Sequence, residues 1–472
     1  MIFSQEVSGV VAAHVVGDLQ NFRSDIDPLW IEEALQATGT ATVRRRRLPA
    51  EQVLWLVIGM ALMRGRPIAD VVSALDLCLP DAKRSEVAPS AIVAARQRLG
   101  EAPLAYLFHR TADAWAYESA TARPWRGLAL FGLDGTTWRV ADSEENREHF
   151  GLASGGERGE SGYPLARVVA LMAVRSHLLV DARFGPLNTS ELSYAKELWQ
   201  RVPDHSLVLV DRGFLTPTVL VALQREGVER HWLTRTKSNT RWKVLKSLGP
   251  KDALVELKTS SQARAQDPSL PRTWVARAIA YSYNGHKSGW VLTSLVDPKL
   301  YPRRELIALY HERWELELGF DEIKTEMLES NFSLRSRTVE STRQEIWGVL
   351  LAYNLVRREM ERVASKAGVE PTQISFATSL QLIRDVWLLC SGNPDAIPEF
   401  LRRLETSMRR LILPPRRPDR AYRREVKLKM SSYPKKRRVA PTRPKRPRTR
   451  RPQQVPRQPH DAFDLRIRRE AR

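Results

Sequence analysis

In the stretch YHERWELELGFDEIK, a phenol, a guanidinium, a carboxylate and an ammonium recur at Tyr310, Arg313, Glu317 and Lys324. At about 100° per residue these four positions fall within an arc of about 60° on a helical wheel. Leu316, Phe320, Ile323 and Met327 fall beside them as an apolar stripe suited to burial. Glu312, Glu315, Glu322 and Glu326 fall on the far side, where carboxylates are expected in water, and Asp321 is the nearest other acid to the row. An ordinary amphipathic helix with i,i+4 ion pairs has the same periodicity. One carboxylate flanked by two cations and a phenol has a second use: the acid binds a metal ion while its neighbours hold a phosphodiester. That use requires further acids from elsewhere in the chain.

Two are available in matching contexts. LALFGLD (Leu128–Asp134) and SLVLVDRGF (Ser206–Phe214) are continuous apolar runs, the pattern of strands covered on both faces, and each leads into an aspartate followed by Gly or Arg-Gly. Functional side chains collect where strands leave an α/β sheet at their carboxyl ends. A single Asp-Gly after a strand is usually only a turn. Asp134 and Asp211 with the same context, together with Glu317, are better evidence of a site. Three converging carboxylates repel one another unless cations lie among them, and an all-oxygen set suits Mg²⁺ or Mn²⁺.

The elements around these residues read as α/β. Residues 1–120 are helical, with EQVLWLVIGMALMRG (Glu51–Gly65) and PSAIVAARQRLG (Pro89–Gly100) as apolar-periodic helices. Arg44–Arg47 precede the first, and the second, starting at Ser90, projects Arg96 and Arg98. A DNA-binding module and a plain helical packing domain fit equally. Residues 121–227 hold both aspartates, with Ala166–Ser176 and Leu178–Gly185 as a hairpin and Glu191–Val202 as a crossover helix that places strands parallel. Between Asp211 and Glu317, residues 228–305 form a β insertion: Val255–Ser260 is strand-like, and WVARAIAYSY and HKSGWVLTSL flank Asn284-Gly285, a strong hairpin signal. Residues 306–412 carry the glutamate helix and further helices, and 413–472 form a basic tail.

Composition sets outer limits. At 472 residues the chain is long enough for more than one domain, and 43% hydrophobic residues is ordinary for a globular protein. Its apolar runs are too short for a membrane span, and MIFSQEVSGV has no basic start or cleavage site, so secretion is not expected. Cys78 and Cys390, the only cysteines, read as buried thiols in a reducing compartment, and the nine histidines make no zinc spacing. From Arg416 to Arg472 there are 22 Lys and Arg against 5 Asp and Glu, a net +17 of the chain's +21. Such a proline-rich polycation is expected to be disordered alone and to bind polyanions through counterion release. PKKRRV also has the look of a nuclear import signal, a pattern that any basic tail produces.

With two, three and six residues between its members, the Tyr310, Arg313, Glu317, Lys324 series resembles the YREK signature of DDE transposases in the insertion-sequence-four family. Asp134 in LDGTTW and Asp211 in DRGF are similar to that family's catalytic aspartates, and Glu317 to its glutamate. RRRRLP, GMALMRG and APSAIVAARQRLG look like its N-terminal domain, and the resemblance runs from about residue 20 to about residue 435. It implies an RNase H-like catalytic core interrupted by a β insertion, after an all-helical N-terminal domain and before helices and a disordered basic tail. The implied activity is cutting and joining of insertion-sequence ends by two-metal-ion phosphoryl transfer: 3′-end hydrolysis, a hairpin step, then strand transfer. Asp134, Asp211 and Glu317 would be both catalytic acids and ligands for two Mg²⁺ ions, with Mn²⁺ as a substitute. The implied partners are double-stranded DNA, as terminal inverted repeats and target, and a second copy in a homodimer assembled on the ends, in the bacterial cytoplasm with the nucleoid. Tyr310, Arg313 and Lys324 would grip the DNA backbone. Trp290 or Trp314 could stack on a flipped base, although core packing is the plainer reading of both. Arg212 could touch phosphate or form a surface ion pair. Two rivals stay open at this point: a nuclease of the same fold that cuts without joining, and a non-catalytic DNA-binding protein, which would be free to lose the acids this chain keeps.

Overall fold

The computed structural model describes residues 26–41, 48–75, 87–154, 160–283, 286–329, 333–390 and 411–414. Arg44–Arg47, Cys78, Asn284-Gly285, the side chain of Cys390 and the basic stretch from Arg416 lie outside them, as do the expectations placed on those residues.

The chain begins with helices α1 (Pro28–Ala37), α2 (Ala50–Leu62), α3 (Ile68–Ala74), α4 (Pro89–Leu99) and α5 (Ala102–Ala122). Every residue of α2 from Val53 to Leu62 is buried, as a helix apolar on all sides must be. α4 takes Pro89 in its first turn, so Ser90 does not cap it, and it ends at Gly100 with φ 68°, a conformation that glycine adopts without strain. Arg96, expected to project, is instead buried. It shares the inner face of α4 with Ile92, Ala95 and Leu99, and its guanidinium donates to Gln344 Oε1 at 2.9 Å and Ser336 Oγ at 3.0 Å.

Strands β1 (Ala129–Arg139), β2 (Leu152–Ser154), β3 (Glu160–Ala173), β4 (Leu179–Pro186), β5 (Ser206–Val210), β6 (Arg230–Arg235), β7 (Lys243–Gly249), β8 (Asp252–Lys258), β9 (Thr273–Tyr283) and β10 (His286–Thr293) join in one sheet. Their order is β2-β3-β1-β5-β6-β10-β9-β8-β7, with β4 on β3. β1, β5 and β6 run parallel to one another, and the other pairs are antiparallel. Helices α6 (Glu144–Phe150), α7 (Glu191–Leu198), α8 (Pro217–Arg225) and α9 (Ser261–Gln266) connect them. The fold is therefore α/β with a mixed sheet. β6 lies beyond residue 227 yet pairs parallel with β5, and β10 pairs antiparallel with β6, so β7–β10 extend the same sheet.

After β10 come α10 (Arg303–Glu312), α11 (Trp314–Asp321), a π-helical turn (Glu322–Met327), α12 (Val339–Ala367) and α13 (Phe376–Cys390). The single helix expected over 310–324 is thus three segments. Arg313 keeps helical angles at the first junction, and the wider π turn rotates Lys324 from the position expected at about 100° per residue. The apolar stripe of Leu316, Phe320, Ile323 and Met327 is buried as its spacing requires.

Alternation sorts the central strands between two cores. Leu207 and Leu209 of β5 join Leu130, Leu233, Ile279 and Val291 in a cluster closed by Leu306, Leu309 and Tyr310 of α10. Val208 and Val210 face the other way, into the larger core with Leu198, Trp199, Val219 and Leu220.

Candidate active site

Leu133 of β1 is in register with Val210 of β5, so one residue further on Asp134 and Asp211 stand on neighbouring parallel strands about 4.8 Å apart. Asp134 has the parity of Leu130 and Asp211 that of Leu207 and Leu209, so both belong to the face covered by α10. α11 comes down on this face because Gly132 has no side chain. A Cβ at Gly132 would lie 2.4 Å from Leu316 Cδ2. This contact brings Glu317, one residue beyond Leu316, to the strand ends.

Arg313 spans the acids. Its Nη2 donates to Glu317 Oε1 at 2.6 Å, while Nη1 stands 3.8 Å from Asp134 Oδ2. Asp134 Oδ1 also accepts the Gly135 amide at 2.8 Å. Even so, the Asp134 carboxyl is pushed up to about 6, chiefly by burial; the Gly135 amide and Arg313 pull it down, whereas Asp211 and Glu317 push it further up. Both other acids therefore act on Asp134 through space. Burial pulls the Arg313 guanidinium down, but Glu317, Tyr310 and Asp134 more than restore it.

Tyr310 is only 7% exposed, and among the described residues its hydroxyl makes no hydrogen bond of acceptable geometry. Burial chiefly raises that hydroxyl to about 12, with Arg313 and Arg235 drawing it down and Asp211 driving it up. The phenol thus ends among the charges of the site from below. Lys324 lies half-buried on the π turn, and Arg212 is exposed directly after Asp211.

The tryptophans separate from this group. Trp314 is 48% exposed and Trp290 36%, so neither is a core residue. Trp290 has the parity of Leu292, on the face opposite the acids, where it meets Trp242 edge-on at 5.5 Å.

The far side of the glutamate helix also differs from the water-facing surface its sequence suggests. The turn between β3 and β4 and helix α12 face this side, so the outer acids of α10, α11 and the π turn meet protein. Glu315 Oε2 lies 2.9 Å from His177 Nε2, and Glu312 is forked with Arg175 at 2.9 and 3.0 Å. Glu322 Oε2 accepts from Tyr353 at 2.8 Å and pairs with the buried Arg357, which also touches His177 Nδ1. Burial pushes the Glu322 carboxyl up, but Arg357, His177 and Tyr353 outweigh it and hold the carboxyl below its ordinary value. Sequence reasoning missed this cluster, because Arg357 and His177 carry no local signal of their partners.

Among the described residues, no three His, Cys, Asp or Glu side chains stand close enough to clasp an ion as they are placed. The donor chemistry nevertheless fits a hard divalent cation: three oxygen-bearing acids, one of them raised chiefly by burial and further by the other two.

Residues 16–109 match the family profile described as insertion element 4 transposase N-terminal, and residues 126–355 match the transposase DDE domain. The chain is 40% identical over 413 residues to "Transposase InsG for insertion sequence element IS4" of Escherichia coli (strain K12), spanning 87% of this chain and 92% of that protein. It is 38% identical over 215 residues to "Putative transposase InsZ" of the same organism, spanning 45% and 70% respectively. Among solved structures, the piggyBac transposase synaptic complex with hairpin DNA aligns over 85% of this chain and 86% of that one, at 12% identity and a TM-score of 0.42.

Proposed function

Since the chain belongs to the insertion-sequence-four family of DDE transposases, we propose that Asp134, Asp211 and Glu317 are its catalytic acids and that the strand ends bearing them receive the scissile DNA phosphate. The observation that carries this reading is the convergence on one sheet face: two aspartates side by side on parallel β1 and β5, with Glu317 joined to Asp134 through Arg313.

The three acids would hold divalent ions of the Mg²⁺ class, with Mn²⁺ as a substitute. Such ions, when bound, supply an activated water and stabilise charge on the leaving oxygen. The chain's own residues hold the substrate. Arg313 offers a planar fork to a phosphate, for which it exchanges its contact with Glu317. Tyr310, buried beneath it, acts through Arg313 and limits where the guanidinium can go. Lys324 and Arg212 add positive charge at the rim for the strand on either side. Hydrolysis at a transposon end frees a 3′-hydroxyl, which attacks the opposite strand to close a hairpin and release the flanking DNA; a second hydrolysis reopens the hairpin and regenerates the 3′-hydroxyl, which attacks target DNA.

In this reading β1, β3–β6 and α7 are an RNase H-like core within residues 121–227 and just beyond, and residues 1–120 are the helical DNA-binding domain. Residues 228–305 are the β insertion, 306–412 the glutamate segment and later helices, and 413–472 a basic tail for non-specific DNA contact. Two ends are processed together by a homodimer assembled on DNA. Among the described residues no helix is long and apolar enough to cross a membrane; the reading places the enzyme in the bacterial cytoplasm, on the nucleoid.

The test is a duplex carrying the element's terminal repeat, labelled on each strand in turn and incubated with Mg²⁺. The expected products are a nick at the 3′ end of the transferred strand, then a hairpin, then the reopened end, then joining to a plasmid. Products from Asp134→Asn matching those of the unaltered enzyme would remove Asp134 from the chemistry.

A further inference from the structure

The row in which Asp134 and Asp211 stand has a third member. Leu209 of β5 is in register with Leu233 of β6, so two residues on, Arg235 lies beside Asp211, one strand spacing of about 4.8 Å away. Leu233 shares the cluster of Leu207 and Leu209, so Arg235 emerges on the face of the acids. The next positions across the sheet are Val291, in register with Arg235, and Ile279, in register with Val291, both in the same cluster.

Arg235 is exposed at the end of β6, and among the described residues no acid forms an ion pair with it. Three other arginines are committed to acids: Arg277 forks onto Asp252 at 2.8 and 2.6 Å, Arg175 onto Glu312, and Arg313 onto Glu317; Arg212, directly after Asp211, is exposed like Arg235. What holds Arg235 is an aromatic face, its guanidinium carbon standing 5.9 Å from the Tyr281 ring centre, within cation–π range. That ring is itself seated. It crosses Gly289 on β10, where a Cβ would come within 2.9 Å of the Tyr281 hydroxyl. Gly289, Tyr281 and Arg235 therefore build a platform that ends in an uncommitted guanidinium beside Asp211.

We propose that Arg235, carried on Tyr281, grips the DNA phosphate next to the one held at Asp134, Asp211 and Glu317, on the side toward the β insertion. The acids repel a polyanion, and a strand crossing them needs a cation that is not already neutralised by the protein. A guanidinium one strand beyond Asp211 meets the backbone as it leaves the acids, and its fork suits phosphate oxygens. This inference rests on the DNA site proposed above.

The experiment uses the full chain and terminal-repeat duplexes in which single phosphates near the cleaved bond are replaced by neutral methylphosphonates. With the unaltered enzyme, one replacement on the insertion side should weaken binding about ten-fold. Arg235→Ala should weaken binding to the unmodified duplex by about as much, lower the salt slope of binding by about 0.9, and lose sensitivity to that one replacement while keeping sensitivity to the others. Arg235→Lys should recover the salt slope but only part of the affinity, because an ammonium lacks the fork. Arg235 is exposed, so a merely structural effect would appear as uniform weakening at every replacement. Such uniform weakening, or a methylphosphonate profile for Arg235→Ala identical to that of the unaltered enzyme, overturns the assignment. An unaltered enzyme insensitive to all replacements around the cleaved bond instead overturns the DNA site itself.

Discussion

Glu317 and Glu322 lie on one helical run, five positions apart, and the protein treats their charges differently. Glu322 is fully provided for by its own fold, with Arg357, His177 and Tyr353 around it and a carboxyl held below its ordinary value. On the sheet side, Asp134 and Glu317 share Arg313, and Asp134 is pushed up to about 6. The first arrangement is closed and structural. The second leaves a carboxyl raised, and in the function proposed above divalent ions supply the missing positive charge. The contrast teaches that the number of acids does not mark a functional site; an unbalanced local charge does.

The strongest way to sharpen that contrast is chemical. Asp134→Asn, Asp211→Asn and Glu317→Gln should each reduce strand cleavage on the order of 10⁴-fold, the size expected when one member of a cooperating set is removed. Terminal-repeat binding should change little; gel-shift and cleavage assays on the same preparations separate the two, and parallel loss of both would make these residues structural.

Arg357→Met should act in the opposite sense, on stability, because it leaves Glu322 buried without its main partner. A loss of about 3–5 kcal/mol is expected in denaturant unfolding. A variant within about 1 kcal/mol of the original would mean that this cluster is as dispensable as a surface pair.

Asp134 offers a test of the charge imbalance itself. Its folded value is raised to about 6 from an ordinary 3.8, so its ionisation weakens the fold. That cost is absent below about pH 4, grows as pH rises, and is complete above about pH 6. Asp134→Asn should therefore be more stable by about 2 kcal/mol at neutral pH, after allowance for partial solvent access. The advantage should shrink as the pH is lowered from about 6 to about 4. A stability gain independent of pH would assign it to packing.

The smallest chemical change is the one at Gly132. Gly132→Ala places a methyl group against the buried Leu316, costing about 1–3 kcal/mol as the leucine and α11 shift. Cleavage should fall more than stability, because the shift displaces Glu317 while the Glu322 cluster on the other side keeps its partners. Unchanged cleavage would show that α11 has slack on the sheet side.

Much of this was legible in the chain. The apolar runs ending in Asp134 and Asp211 became adjacent parallel strands, the alternating stretches around residue 284 became the antiparallel β9 and β10, and the stripe from Leu316 to Met327 is buried. Local period is a property of neighbours in sequence, so it survives folding. Apart from the helix start at Ser90 and the breaks in the 310–324 helix, the misreadings concern partners distant in sequence. Arg96 turns inward because α12 supplies Gln344, and Glu312, Glu315 and Glu322 are engaged because Arg175 and His177 of the β3–β4 turn and Arg357 of α12 lie against them.

The amino-acid sequence by itself determined which residues can do chemistry and the elements that carry them, since residue type and short-range period are sufficient for both. The tertiary structure alone decided which charges stay unbalanced. Register set Asp134, Asp211 and Arg235 in one row, a missing side chain at Gly132 lowered Glu317 onto it, and the β3–β4 turn together with α12 neutralised the acids on the opposite side. Electrostatic balance depends on distances of a few ångströms between segments far apart in the chain, and only the folded backbone fixes those.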